Sequence, residues 1–168
     1  VSSAASDVYK RQGNSTGIGQ TTGITNLSCG IIIQNTSNLN KNQVLKILAG
    51  QQGTRTQSGS VGNYSGLGGS GGSFVASNNN TPLYIAGGSG GSGGVSYGYP
   101  GLLTQSGGNA QGGGTGGQNG NGGTSGTQSQ TSSAGGGGFL TSGTNTLPVF
   151  STAGTSFISG GSGGTGSG

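Results

Sequence analysis

GTGGQNGNGGTSG, residues 114–126, sets a glycine at every third position: Gly114, Gly117, Gly120, Gly123 and Gly126. A polyproline-II-type helix makes one turn in about three residues, so this spacing gives a chain one face with no side chains. Another backbone can lie directly against such a face. Working outward, the same step recurs at Gly66, Gly69 and Gly72, at Gly87, Gly90 and Gly93, and at Gly160, Gly163 and Gly166. Glycine supplies 45 of the 168 residues but proline only 3, and no single Gly-X-Y register persists, which excludes collagen. The expected fold is mainly β with little or no helix: a frame of short strands carrying a bundle of polyproline-II-like glycine helices.

The frame is expected first in residues 13–53. Residues 24–27, 29–33 and 44–49 are short apolar or alternating runs, rich in β-branched side chains and bounded by Asn, Ser and Gly. Residues 38–43 between the last two have turn composition, which predicts a β-hairpin. Val44, Leu45, Ile47 and Leu48 also fit one helical turn, but the run is too short for an isolated helix and Gly50 closes it. Residues 54–168 then alternate glycine tracts with brief apolar words. Phe74-Val75-Ala76 and Leu83-Tyr84-Ile85-Ala86 read as two strands joined by a turn over residues 77–82, and Phe139-Leu140, Val149-Phe150 and Phe157-Ile158 are shorter still. These pairs are expected inside, with Ser, Thr, Asn and Gln outside.

Energetics require the glycine tracts to pack together. Ordering one residue's backbone costs about 1–2 kcal/mol, glycine being at the expensive end. A backbone hydrogen bond returns only about 0.5–1.5 kcal/mol net. An isolated glycine helix therefore melts, whereas a bundle bonded to several neighbours and anchored on strands can hold.

Residues 2–12, SSAASDVYKRQ, look like a transposase-type sequencing adapter translated in frame, so residues 1–12 are set aside as a library scar. On that reading the natural N-terminus lies upstream, where a signal peptide would sit. Setting the scar aside removes Lys10, Arg11 and the only acid, Asp7, leaving Lys41, Lys46 and Arg55 as the formal charges. Three cations make no phosphate-binding stripe, so nucleic acid is excluded as a partner. No apolar run reaches the roughly 18–20 residues needed to span a bilayer, so no membrane contact is expected from this stretch. The lone thiol, Cys29, reads as a small core residue, the alternative being a pair with a cysteine outside this chain.

The same composition bears on chemistry. With no His and no acid beyond the scar, carboxylate pairs, histidine triads and metal clusters cannot be assembled, and Cys29 has no base to activate it. No catalytic, metal-binding or cofactor-binding residue is expected. Residues 66–71 satisfy G-x-G-x-x-G formally, but the strand before it, the helix after it and the acid downstream are all missing. Sequons at Asn14, Asn26, Asn35, Asn63 and Asn79 are no more than an Asn-, Ser- and Thr-rich chain produces by chance. Among the tyrosines, Tyr84 belongs to a strand. Tyr97 and Tyr99, in Tyr97-Gly98-Tyr99-Pro100-Gly101, form a candidate recognition loop for a protein or glycan ligand, the plainer alternative being that the loop caps a glycine helix.

Several blocks taken in order carry a family resemblance. Residues 42–54, NQVLKILAGQQGT, resemble the G-Q-x-L-x-I-x-V-G-Q-x-G strand of the extracellular glycine-rich domain of the anaplastic lymphoma kinase and leukocyte tyrosine kinase receptors. Residues 68–75, GGSGGSFV, resemble that family's GGGGGTFV, and residues 82–91, PLYIAGGSGG, resemble its PLIIAGGGGG. Residues 135–140 and 156–164 match its later blocks in the same order, so the resemblance covers about residues 28–168. It implies polyproline-II-like helices set in a β-sandwich frame, and a chain that continues past residue 168. Related domains occur in bacterial surface proteins, and the packing principle is similar to that of glycine-helix bundles in phage tail-fibre adhesins.

The receptors' cysteine pairs and any kinase signature are missing from this sequence. The expected role is thus a non-enzymatic, extracellular or cell- or virion-surface module, structural or ligand-presenting. The alternatives are the ectodomain of a receptor tyrosine kinase, which requires a membrane span and kinase motifs downstream, or an adhesin tip.

Overall fold

The computed structural model of the chain describes residue 31 and residues 33–56, 68–91, 98–110, 113–126, 134–146 and 151–167. The adapter-like stretch, Cys29, the runs at 24–27 and 149–150, Gly66, Gly93 and Tyr97 lie outside the described residues. Within them the architecture is mainly β: five short strands and one 3-10 turn. No helix among the described residues is long and apolar enough to cross a membrane.

Strand β1 (Leu45–Leu48), β3 (Ser73–Ser77) and β4 (Pro82–Ala86) form an antiparallel sheet in the order β1-β3-β4. The expected β3–β4 hairpin forms. Its turn is closed by Ser77 N–H donating to Thr81 O at 2.9 Å and Asn80 N–H to Ser77 O at 3.0 Å. Asn80 takes the left-handed conformation, φ 62°, that asparagine tolerates best among residues with a side chain. Pro82 opens β4, an edge strand, a position at which proline's missing N–H is tolerated. The register shifts between Val75 and Ala76.

Two expectations about the frame change. The run at 44–49 does yield β1, but β1 pairs with β3, Leu48 opposite Phe74, and Ile31 and Ile33 belong to no strand. Local turn composition favoured a hairpin; the larger apolar gain lies in placing Leu48 beside Phe74. Phe157-Ile158 forms no strand either. Phe157–Ser159 is a 3-10 turn capped by Ser156, whose side chain accepts from Ser159 N–H, and it ends at Gly160 with φ 102°.

The apolar core is small. Phe74 and Phe139 are each 3 % exposed and Phe157 packs against them, with ring centroids 4.8 Å apart for Phe139–Phe157 and 5.6 Å for both contacts of Phe74. Leu48 closes the cluster. Of the two apolar pairs among the described residues, only the phenylalanines join the core, Phe139 buried and Phe157 partly so, while Leu140 and Ile158 are 50 % and 51 % exposed. Conversely, Ser70, Ser73, Ser125, Ser151 and Ser156 are buried, against the expectation that serines lie outside. Their hydroxyls are small enough for close-packed backbone and bond to it: Ser73 Oγ accepts from Gly50 N–H at 2.9 Å and Ser125 Oγ from Thr146 N–H at 3.0 Å.

Strand β2 (Thr54–Thr56) pairs in parallel with β5 (Thr165–Ser167), Thr54 opposite Thr165 and Thr56 opposite Ser167. This pair ties the start of the glycine-rich part to its far end.

Candidate functional site

The tetraglycine Gly135-Gly136-Gly137-Gly138 is enclosed by neighbouring backbone at each of its four positions. A β-carbon on Gly135 would overlap the Gly123 carbonyl oxygen, and one on Gly138 would meet Asn121 O at 2.5 Å. On Gly136 it would stand 2.6 Å from Ser70 O, and on Gly137 it would overlap Thr155 O. The contact directions repeat after three residues: Gly135 and Gly138 face one neighbouring segment, Gly136 a second and Gly137 a third.

Hydrogen bonds fasten the same stretch on all sides. Gly69 N–H donates to Ala134 O at 3.2 Å, Gly123 N–H to Gly136 O at 3.0 Å, Gly154 N–H to Gly135 O at 2.9 Å and Phe157 N–H to Gly138 O at 2.9 Å. In return Ala134 N–H donates to Thr165 O at 3.3 Å and Gly135 N–H to Thr144 O at 3.1 Å. Where a carbonyl oxygen overlaps the position of an absent β-carbon, it must lie nearly along the Cα–Hα bond. That is the geometry of a Cα–H···O contact, worth about 0.5–1 kcal/mol.

From this hub the bonding continues outward and returns. Ser70 N–H donates to Ser89 O, Gly90 N–H to Tyr99 O, Tyr99 N–H to Asn109 O, Gly107 N–H to Gly117 O and Thr124 N–H to Thr115 O, all between 2.7 and 3.2 Å. The ring surrounds a space of about 90 Å³ lined by glycine backbone and by Ser70, Ser89, Asn121 and Thr124 among others. Small-molecule sites run to about 300–1,000 Å³ and are mostly apolar, so this slit does not fit one. Hydroxyl pairs link lining residues, Thr115 Oγ1 with Thr124 Oγ1 at 2.9 Å and Ser70 Oγ with Ser89 Oγ at 3.3 Å, and a further pair elsewhere joins Thr155 Oγ1 to Ser162 Oγ at 3.1 Å.

A family-model scan, a search of curated proteins and a search of solved structures each return no match.

The glycines singled out by the three-residue step divide into groups. A β-carbon on Gly69, Gly90, Gly114, Gly123 or Gly163 would come within 2.6–3.2 Å of neighbouring backbone, and one on Gly117 would overlap Asn121 O. Gly72 lies under the Phe74 ring, and Gly126 is buried, its carbonyl accepting from Thr146 Oγ1 at 3.3 Å. Gly120 and Gly160 are needed for conformation, with φ 83° and 102°. Gly87 has nothing within 4 Å of where its side chain would be. The step missed Gly53, Gly68, Gly98, Gly116, Gly135, Gly137 and Gly143, whose β-carbons would overlap neighbouring carbonyls. A usable signal was the uninterrupted run 135–138, which has no side chain in any direction.

In the recognition loop, Tyr99 is 52 % exposed while its backbone is held on both sides by Gly90 and Asn109. Gly98 and Gly101 are buried against Gly90 and Gly87. Tyr84 is half-buried and its hydroxyl bonds to Ser37 Oγ. A feature the sequence reading missed is a row of turns at one end of the segments. Asn119 N–H donates to Gln105 O, Leu140 N–H to Gly120 O and Ile158 N–H to Phe139 O, so the bends near residues 103, 119, 140 and 158 stand side by side. The adjacent leucines Leu102 and Leu103, outside any strand pattern, were the legible sign of it.

Proposed function

We propose that this chain is a non-enzymatic glycine-rich module of an extracellular or surface protein, in which polyproline-II-like glycine segments packed on a short-strand frame make a rigid structural or ligand-presenting body. The observation that carries this reading is the tetraglycine hub, whose contacts turn from one neighbour to the next with a period of three residues. A three-residue repeat is what a polyproline-II helix in a bundle requires. The ordered blocks similar to the glycine-rich domain of the anaplastic lymphoma kinase type support the same reading, as does the want of His, Asp and Glu after residue 12. Such a body fixes the positions of its surface turns, which serves presentation better than catalysis.

Circular dichroism of the full chain tests it. The expected spectrum combines polyproline-II and strand signals and is lost in one cooperative thermal transition. A featureless spectrum that changes smoothly with temperature overturns the reading.

A further inference from the structure

Asn-Gly occurs twice in the sequence, as Asn119-Gly120 and as Asn121-Gly122. Where glycine follows asparagine, no side chain hinders the glycine nitrogen from reaching the asparagine Cγ. The fold gives the two copies opposite surroundings. Asn119 and Gly120 have φ 51° and 83°, and Asn121 N–H donates to Gln118 O at 2.9 Å, which makes residues 118–121 a type I′ turn. The turn is held by Asn119 N–H, donated to Gln105 O, and by Gly120 O, which accepts from Leu140 N–H at 2.7 Å. The peptide unit between the two residues carries neither group. Among the described residues nothing bonds to the Asn119 carbonyl, the Asn119 side chain or the Gly120 N–H, and Asn119 is exposed. That unit can rotate by itself, turning type I′ into type II′, and no hydrogen bond is broken. In type II′ the first central residue has ψ of about −120°. At that angle the next nitrogen is eclipsed with Cβ, the alignment from which an imide ring closes.

Asn121-Gly122 is held. Gly122 N–H donates to Thr141 Oγ1 at 3.0 Å. The Asn121 carbonyl oxygen takes the places of the missing β-carbons of Gly117 and Gly138, and a β-carbon on Gly122 would stand 2.5 Å from Gly143 N. Rotating this unit would break the bond and pull the oxygen from its seat between two glycine segments. We propose that Asn119 is a site of spontaneous covalent modification, converted to aspartate and isoaspartate by attack of its own Gly120 nitrogen and by water, while the fold protects Asn121. In the first step the Gly120 nitrogen gives its proton to solvent and bonds to Asn119 Cγ. The Cγ–Nδ2 bond breaks, and Nδ2 takes a proton from water and leaves as ammonia. Water then adds to either carbonyl carbon of the imide. Opening at Cγ restores the main chain and leaves aspartate, whereas opening at the main-chain carbon leaves isoaspartate, with the chain routed through Cβ and Cγ. Nothing is oxidised or reduced, and water is the co-reactant. Either product puts a carboxylate on a chain with no Asp or Glu after Asp7. The isoaspartyl form also lengthens the backbone inside the turn that Asn121 N–H closes on Gln118 O. The site requires only the turns as placed, whatever role the module serves.

The test holds the full chain in mildly alkaline buffer, samples it over time, digests it with a protease of broad specificity and follows both sites by mass spectrometry. The same chain in strong denaturant at the same pH is the reference. In buffer, Asn119 is expected to convert at least about tenfold faster than Asn121, whose rotation must break a hydrogen bond and disturb packing. In denaturant both sites are plain Asn-Gly and should convert at similar rates. Equal rates in buffer, or Asn121 reacting first, overturns the proposal. Slow conversion of both sites in buffer, when both react in denaturant, also overturns it, because the turn would then protect Asn119 as well. A preference for Asn119 that survives denaturant counts against it too, since the cause would lie in the sequence and not in the fold.

Discussion

Gly137 and Gly87 are both glycines inside glycine-rich runs, yet the chain treats them differently. A methyl group on Gly137 would enter the Thr155 carbonyl, whereas one on Gly87 would meet no atom within 4 Å. The first belongs to a segment bonded on every side and the second to the stretch leaving β4. Beside the positive-φ glycines Gly120 and Gly160, whose use is conformational, glycine in this protein therefore has two uses, one as a requirement of contact and one as ordinary surface composition. Only the number of neighbours around a segment separates them.

The sharpest way to break the comparison is Gly137→Ala. Overlap with a main-chain oxygen cannot be relieved by a rotamer change, so the neighbouring segment must move and loses Gly154 N–H to Gly135 O with it. We expect loss of more than about 4 kcal/mol, read as no cooperative melt in circular dichroism. Phe139→Ala comes next. It removes the ring shared by Phe74 and Phe157 and should cost about 3–5 kcal/mol in denaturant unfolding. Gly160→Ala forces a side chain into φ 102° without touching any neighbour, and a loss of about 1 kcal/mol isolates the conformational term from the contact term. Gly87→Ala should reverse the sign, raising stability by about 0.4–1 kcal/mol through the unfolded chain, measured as a higher midpoint at unchanged slope. A destabilised Gly87→Ala would show that the two uses of glycine are not distinct.

The β3–β4 hairpin was legible because its turn is spelled in Ser, Asn and Pro between two apolar words, and β1 because its apolar run ends at a glycine. The partner of β1 was not, since composition reports where a strand is and not which strand it meets. The β2–β5 pair left no trace at all: Thr54-Arg55-Thr56 and Thr165-Gly166-Ser167 have no apolar alternation, and their partnership spans most of the chain. The 3-10 turn at Phe157–Ser159 did have a signal in Ser156 before it and Gly160 after it, which an apolar pair at its centre obscured. For the glycine segments, a three-residue step names the residues on one face. Gly135 and Gly137 are both required and out of step with each other because a segment enclosed by several neighbours needs every face bare.

The parallel pairing of β2 with β5 has a mechanical consequence. A pull entering the chain at Thr54 and leaving it at Ser167 draws two parallel strands lengthwise past each other, so their bonds resist together instead of opening one by one like a zip. Tension applied between those two points is met first by that short clamp, and the segments between its two strands carry load only after it slips.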